Sequence, residues 1–335
     1  MIISRRRHSR REFNQFCATF GLALPAARSA IGPVFAQTVE GALDNPRRTA
    51  KFGDGTVARA LGQGSAGLAQ GRHPPTAEED AIRTGISLGM TVIDTSEGYG
   101  GGRSEELIGR VIAGQRDRVF LVSKVDRTEG DYIARACRTS LDRLGTDYLD
   151  LYLLHWRNPG DNLSHVVASF EDLRSAGKIR AWGVSNFKTS DMEDLFCVPG
   201  GDRCATNQVR YSLNSRGIED DLLPWCEQRG MPVMAYSPLG GDSLVHNPTL
   251  ARIGAAHSCS AAAVALAWVI RSGNVIAIPE SGSAAHVREN AVALSLTLTS
   301  EDIQTVDAAF PMNSKDKLRV LVDRTRRWLR RSCNG

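Results

Sequence analysis

The strongest constraint in the 335-residue chain is a repeat of pattern, not of sequence. Short apolar runs at 60–62, 91–94, 119–124, 149–155, 179–185, 206–209, 232–236 and 275–278 alternate with longer amphipathic stretches. The amphipathic stretches fall at 78–88, 105–112, 132–144, 163–176, 189–196, 218–229 and 261–271. From the second run to the seventh the recurrence is roughly 25–30 residues, the length of one strand–helix unit. Eight such units predict one α/β domain over 55–312. Its architecture is a single (β/α)8 TIM barrel of parallel strands with reactive groups at the C-terminal face. Thr76 ahead of Glu78 and Glu79, and Ser300 ahead of Glu301 and Asp302, read as helix starts.

A dinucleotide-binding open sheet is the rival. Gly62-Gln63-Gly64-Ser65-Ala66-Gly67 has the G-x-G-x-x-G spacing. The strand ahead of it is very short, however, and Pro74-Pro75 follows where a helix is needed at once. No strand-borne acid appears about 20 residues on, so the barrel is the better account.

The net charge of +4 hides an uneven distribution. Residues 1–36 carry six arginines against Glu12, and 315–335 carry eight basic residues against Asp316 and Asp323. The body between them is acidic, which argues against a nucleic-acid-binding surface. The N-terminal arginines have an order. Arg10-Arg11 is followed by Phe13, then by a weakly apolar stretch 16–27, then by Val34-Phe35-Ala36 with small residues at the −3 and −1 positions before Gln37. That order is expected of a twin-arginine signal peptide over 1–36, with 37–54 as linker and 313–335 as a basic tail. It implies passage through the twin-arginine export machinery to the periplasm. The alternative is a solvated basic tail on a cytoplasmic protein. No apolar run is long enough for a stable membrane span.

The ends of the expected strands carry acid–base groups. Strand 2 ends at Asp94 with Tyr99 in the loop beyond, strand 3 at Lys124, strand 4 at His155 and strand 5 at Ser185-Asn186. Each alone has an ordinary explanation: a turn cap, a solvated lysine, a packed ring. Ser185-Asn186 also reads as a plain helix cap before 189–196. Their joint occurrence on consecutive strand ends is what points to a site. No Cys-x-x-Cys pair with nearby His occurs, and no H-x-H follows the first strand, so no metal is expected.

Val92-Ile93-Asp94-Thr95-Ser96-Glu97-Gly98-Tyr99-Gly100, Leu121-Val122-Ser123-Lys124 and Asp150-Leu151-Tyr152-Leu153-Leu154-His155-Trp156 resemble the signatures of the aldo/keto reductases. Gly183-Val184-Ser185-Asn186-Phe187, Asn207-Gln208-Val209 and Ala235-Tyr236-Ser237-Pro238-Leu239 continue the resemblance, in order, from about residue 55 to 312. Among branches it is most similar to the bacterial methylglyoxal-reductase-like enzymes. The resemblance implies a catalytic tetrad of Asp94, Tyr99, Lys124 and His155, with NADPH or NADH as cofactor and a small aldehyde or ketone as substrate. In that scheme Tyr99 donates the proton, and the Lys124 ammonium lowers its pKa from the free-phenol value of about 10. Asp94 holds Lys124 and His155 orients the carbonyl. The resemblance also places Ser185, Asn186 and Gln208 at the nicotinamide carboxamide and Tyr236 on its ring. Ser237, Leu239 and Gly241 fall along the pyrophosphate, Ser281 just beyond the eighth strand and Asn290 at the adenine.

Two positions depart from the family. Glu280 and His286 stand where a lysine and an arginine that grip the 2′-phosphate of NADPH are expected. A carboxylate repels a phosphate and accepts hydrogen bonds from a ribose diol, which implies relaxed specificity or a preference for NADH. Ala66 stands where relatives often carry an aromatic, leaving a wider substrate pocket with Trp156 as its apolar wall. A binding or redox-sensing regulatory subunit with little turnover is the alternative function. A monomer or weak oligomer is expected, and Cys197 and Cys204, bracketing a Pro-Gly-Gly turn, are candidates to pair after export.

Overall fold

The first strand of the barrel, the shortest expected, is also the one that closes it. In the computed structural model, which describes residues 48–158, 160–241 and 243–312, a hairpin precedes the barrel. Its strands β1 (Thr49–Lys51) and β2 (Val57–Arg59) are antiparallel. Eight parallel strands follow: β3 (Gly62–Gly64), β4 (Val92–Asp94), β5 (Phe120–Val125), β6 (Leu149–Leu154), β7 (Ile179–Ser185), β8 (Asn207–Arg210), β9 (Val233–Tyr236) and β10 (Val275–Ile278). They lie side by side in sequence order. The ring closes through parallel bridges Leu61↔Ala277 and Gly64↔Glu280, with Gly64 N–H donating to Pro279 O at 2.9 Å. The (β/α)8 expectation holds.

The helices on the outside are α1 (Pro75–Ser87), α2 (Arg103–Ile112), α3 (Tyr132–Leu144), α4 (Leu163–Ser175), α5 (Thr189–Phe196), α6 (Leu222–Glu227), α7 (Pro248–Ala256), α8 (Ala261–Val269), α9 (Ala284–Ala291) and α10 (Ser300–Ala309). A strand buried on both faces reads as a nearly continuous apolar run, as Leu149–Leu154 does with Asp150 its one charged residue. Alternate side chains divide between two layers. Leu121, Tyr152 and Leu154 pack toward the helices. Val122, Leu151, Leu153, Met234 and Ile276 fill a second cluster with Ala50, Phe52 and Ala58 of the hairpin. The hairpin therefore plugs the barrel at the end where the strands begin. Phe52 stacks on Phe120 with ring centroids 5.4 Å apart. Nearby, buried Asp150 clasps neighbouring strands: it accepts from Arg116 at 2.8 Å, Leu121 N–H at 2.9 Å and Arg180 at 2.8 Å.

Several expectations shift. The first strand begins at Gly62, not Ala60, and residues 49–51, expected as linker, are the hairpin strand β1. Thr76 lies inside α1, which starts on Pro75 because proline's fixed φ suits a first helical position. Ser300 is the first residue of α10 and Thr299 is its cap: Asp302 N–H donates to Thr299 Oγ1, and Thr299 N–H to Asp302 Oδ2. The stretch 218–229 is not one helix. A short 3-10 turn over Gly217–Asp220 precedes α6, which starts two residues before Pro224 because proline is tolerated only in a helix's first turn. Helices α7 and α9 have no counterpart in the expected pattern. Buried Cys204 donates to Thr206 O and, like exposed Cys197, is a free thiol, so the suggested pair is not formed. The export signal 1–36, the linker up to 47 and the tail 313–335 lie outside the described residues. Among the described residues no single helix is long and apolar enough to cross a membrane.

Phe52→Ala, which empties the plug, is expected to lower stability by about 3–5 kcal/mol in chemical denaturation. A loss under about 1 kcal/mol would show that the hairpin is not part of the cooperative core.

Candidate active site

Lys124, near the end of β5, is completely buried. A buried ammonium survives only if its donors are satisfied. Its Nζ donates to Asp94 Oδ2 at 2.7 Å, Thr95 O at 2.8 Å and Tyr99 Oη at 3.1 Å. Burial pulls the ammonium down, but Asp94 and Tyr99, through charge and hydrogen bonds, outweigh it and hold Lys124 above the ordinary lysine value. Asp94 ends β4, and its other oxygen accepts from Gln208 Nε2 at 2.7 Å. Tyr99 opens a short turn whose Gly100 and Gly101 have φ of 59° and 68°, which lets the chain double back over the barrel mouth.

The pull of Lys124 on the Tyr99 phenol is present, but burial outweighs it. Burial pushes its phenol above the ordinary tyrosine value; Lys124 pulls it down, while Asp94 and then Asp126 push it up again. The net direction is upward, with Lys124 the one group that favours the phenolate. The arrangement keeps a neutral acid hydrogen-bonded to a fixed cation.

His155 follows β6. Its ring meets the Tyr99 ring edge-on at 5.9 Å and stacks on Trp156 at 5.6 Å. The four residues singled out on separate strand ends are thus neighbours. Trp156 is half exposed, and Ala66 is exposed in the loop after β3.

The next strand ends form a connected polar set. Ser185 Oγ donates to Gln208 O at 2.8 Å, and Asn186 Nδ2 donates to Ser185 Oγ at 3.0 Å and His155 O at 3.2 Å. Tyr236 Oη donates to Asn186 Oδ1 at 2.9 Å. Asn186 and Ser237 are held in the left-handed region at φ 62° and 48°, strain of the kind that collects at ligand clamps. Neither Ser185 nor Asn186 caps α5: Lys188 stands at the cap, and its N–H donates to Asp191 Oδ2 in the first turn at 3.0 Å. The chemistry of the set suits a nicotinamide. A primary carboxamide needs an acceptor and donors side by side, which Ser185, Asn186 and Gln208 supply, and Tyr236 offers a partly exposed ring. Leu239 and Gly241 lie in the loop after β9, Leu239 packed against the core and Gly241 at φ 74°. Ser281 and exposed His286 follow β10, and Asn290 is buried on α9.

Glu280 has another set of partners. Its Oε2 accepts from Gly67 N–H at 2.6 Å, and its Oε1 pairs with Arg72 at 3.7 Å. A Cβ at Gly67 would come to 2.5 Å from that carboxylate and 2.6 Å from the Arg72 guanidinium, so a larger residue would have to displace this pair. Burial pushes the Glu280 carboxyl up, with the Gly67 N–H and Arg72 pulling down and Glu78 adding to the rise. The carboxylate latches the loop after β3 to the strand that closes the ring.

The family model for the aldo/keto reductases matches residues 60–310. The chain belongs to the aldo/keto reductase family. This reductase is 48% identical over 259 residues to methylglyoxal reductase YeaE of Escherichia coli, covering 75% of this chain and 91% of that protein. It is 34% identical over 235 residues to glyoxal reductase of Bacillus subtilis, covering 68% of this chain and 82% of the other. Among solved structures, it resembles an aldo/keto reductase of Klebsiella pneumoniae in complex with NADP and acetate. The TM-score is 0.75 at 45% identity, covering 79% of this chain and 95% of that one. A second structure from the same organism, in complex with NADPH, gives a TM-score of 0.74 over the same shares of the two chains.

Two acids of the reductase site escape a sequence reading. Glu97 Oε1 accepts from Asp126 N–H at 2.8 Å, and burial pushes its carboxyl up, with Asp126 and Tyr132 among its neighbours. Asp126 Oδ1 lies 2.6 Å from His155 Nδ1. The only trace of Asp126 in the sequence is an acid two residues after the lysine.

Tyr99→Phe removes the acid and leaves the ring. Steady-state carbonyl reduction is expected to fall at least ~10²-fold with cofactor affinity unchanged. Near-normal turnover would remove Tyr99 from the chemistry.

Proposed function

We propose that this NAD(P)H-dependent reductase converts small 2-oxoaldehydes of the methylglyoxal class to the corresponding alcohols. The observation that carries the reading is the buried Lys124 bridging Asp94 and Tyr99 at the barrel mouth, with His155 beside the phenol. The 48% identity to a methylglyoxal reductase supports the substrate class. A reduced nicotinamide, when bound, supplies the hydride. Ser185, Asn186 and Gln208 would hold its carboxamide, and Tyr236 would support its ring. Tyr99 gives its proton to the carbonyl oxygen as negative charge develops there, and Lys124 stabilises the phenolate left behind. Asp94 keeps Lys124 charged and in place. Ala66 and Trp156 border the substrate. A panel of small aldehydes, ketones and sugars tests this: many cycles of cofactor oxidation with 2-oxoaldehydes support it, and a single slow cycle supports a sensing subunit instead.

For the cofactor, the reading is relaxed specificity or a preference for NADH. Glu280 and exposed His286 replace two cations, and charge-assisted pairs to a phosphate are the strong ones. Glu280→Lys is expected to shift the ratio of NADPH to NADH affinity at least ~5-fold toward NADPH in binding titrations, about 1 kcal/mol. A wild type that binds NADPH a hundredfold better would overturn the reading.

We also propose export of the mature chain, starting at Gln37, to the periplasm by the twin-arginine route, on the order of charged, apolar and small-residue regions in 1–36. Arg10→Lys with Arg11→Lys is expected to leave an uncleaved precursor in the cytoplasm. Normal delivery of the double variant would refute that route.

A further inference from the structure

Asp126 is held from several sides. Its N–H donates to Glu97 at 2.8 Å, and its Oδ2 lies where a Cβ on Gly98 would approach to 2.6 Å, so that glycine opens the space it occupies. Its Oδ1 meets His155 Nδ1 at 2.6 Å, with Ser96 Oγ 3.5 Å from the same nitrogen. An ionised carboxylate only accepts, so the hydrogen in this contact sits on Nδ1. A neutral imidazole carries one N–H, which leaves Nε2 with a lone pair and no hydrogen to offer a carbonyl oxygen.

We infer that Asp126 is a positioning residue that restricts His155 to donating through Nε2 only as the doubly protonated ring. The inference rests on the reductase reading above and adds to it a condition on the charge of His155. Among the described residues the groups facing the ring are Ser96 and Tyr99 from the loop after β4, Asp126 just after β5 and the Trp156 ring, with Glu97 behind Asp126. Lys124 and Asp94 lie beyond Tyr99. The nearby arginines are engaged elsewhere: Arg127 lies over the Tyr132 ring, and Arg157 is paired with Asp191 at 2.7 Å and Asp194 at 2.9 Å. Burial pushes the Tyr99 phenol above the ordinary tyrosine value, so its alkaline limb is separate from that of the ring.

The experiment follows kcat for aldehyde reduction from about pH 6 to pH 9 in the wild type, Asp126→Asn and His155→Gln, the range in which histidine changes charge. Nitrogen-15 NMR of the histidine rings in the full chain runs alongside, with His155→Gln identifying the signal. In the wild type, kcat falls about tenfold per pH unit once the ring loses its second proton, and the neutral ring is protonated at Nδ1. An asparagine presents an amide N–H as well as an oxygen, so Nδ1 is no longer confined to donating; the neutral ring can then carry its hydrogen on Nε2, and that fall is relieved. The kcat ratio of Asp126→Asn to wild type then rises at least ~10-fold from pH 6 to pH 9. A merely structural aspartate would lower kcat by the same factor at every pH. Parallel profiles, or a wild-type neutral ring protonated at Nε2, overturn the inference. The NMR result on the wild type stands even if the variant does not fold. Absence of aldehyde turnover at every pH would instead count against the reductase reading, with the tautomer still decided by NMR.

Discussion

The site is organised around one ammonium group that has no contact with water. Placing Lys124 inside a barrel has a desolvation cost of several kcal/mol, and removing a single partner would leave an uncompensated charge. Its partners come from the end of β4 and from the loop that follows it. Neighbouring parallel strands are hydrogen-bonded in register, Lys124 pairing with Leu153 and Gly64 with Asp94. The precision of the catalytic group is therefore inherited from the ladder. Asp94 extends the network across the barrel to Gln208, joining the Lys124–Tyr99 pair to the set that suits a carboxamide.

The raised Tyr99 phenol follows from the same burial. A phenol drawn over the mouth of a barrel loses hydration, and the charges of Asp94 and Asp126 oppose that of Lys124. The residue is an acid across the neutral range, which suits reduction, where the oxygen of the substrate must gain a proton.

Much of this was legible in the sequence, for physical reasons. The strands Ile179–Ser185 and Val275–Ile278 and the helices Tyr132–Leu144 and Thr189–Phe196 were read to the residue, because their apolar spacing is unambiguous. Helices α7 and α9 are short and rich in small residues, so they passed as loop. Asp94, Tyr99, Lys124 and His155 stood out because strand ends converge in a barrel. The direction of the Tyr99 shift did not, because desolvation depends on what covers the ring. Asp126 and the latch of Glu280 on Gly67 were hidden for a related reason. Each links segments that only three-dimensional closure brings together, one across the ends of β5 and β6, the other across the seam between β10 and β3.

The two ends of the barrel do different work. The hairpin plug and the Asp150 clasp secure the end where the strands begin, and the reacting groups occupy the other. Trp156 stands at the second end, half exposed and supported by the His155 ring. A side chain in that position contributes little to the core, so exchanging it alters the shape presented to a substrate at small cost in folding. Variation at this rim is a route by which one scaffold acquires new specificities while the acid, the ammonium and their carboxylate stay where they are.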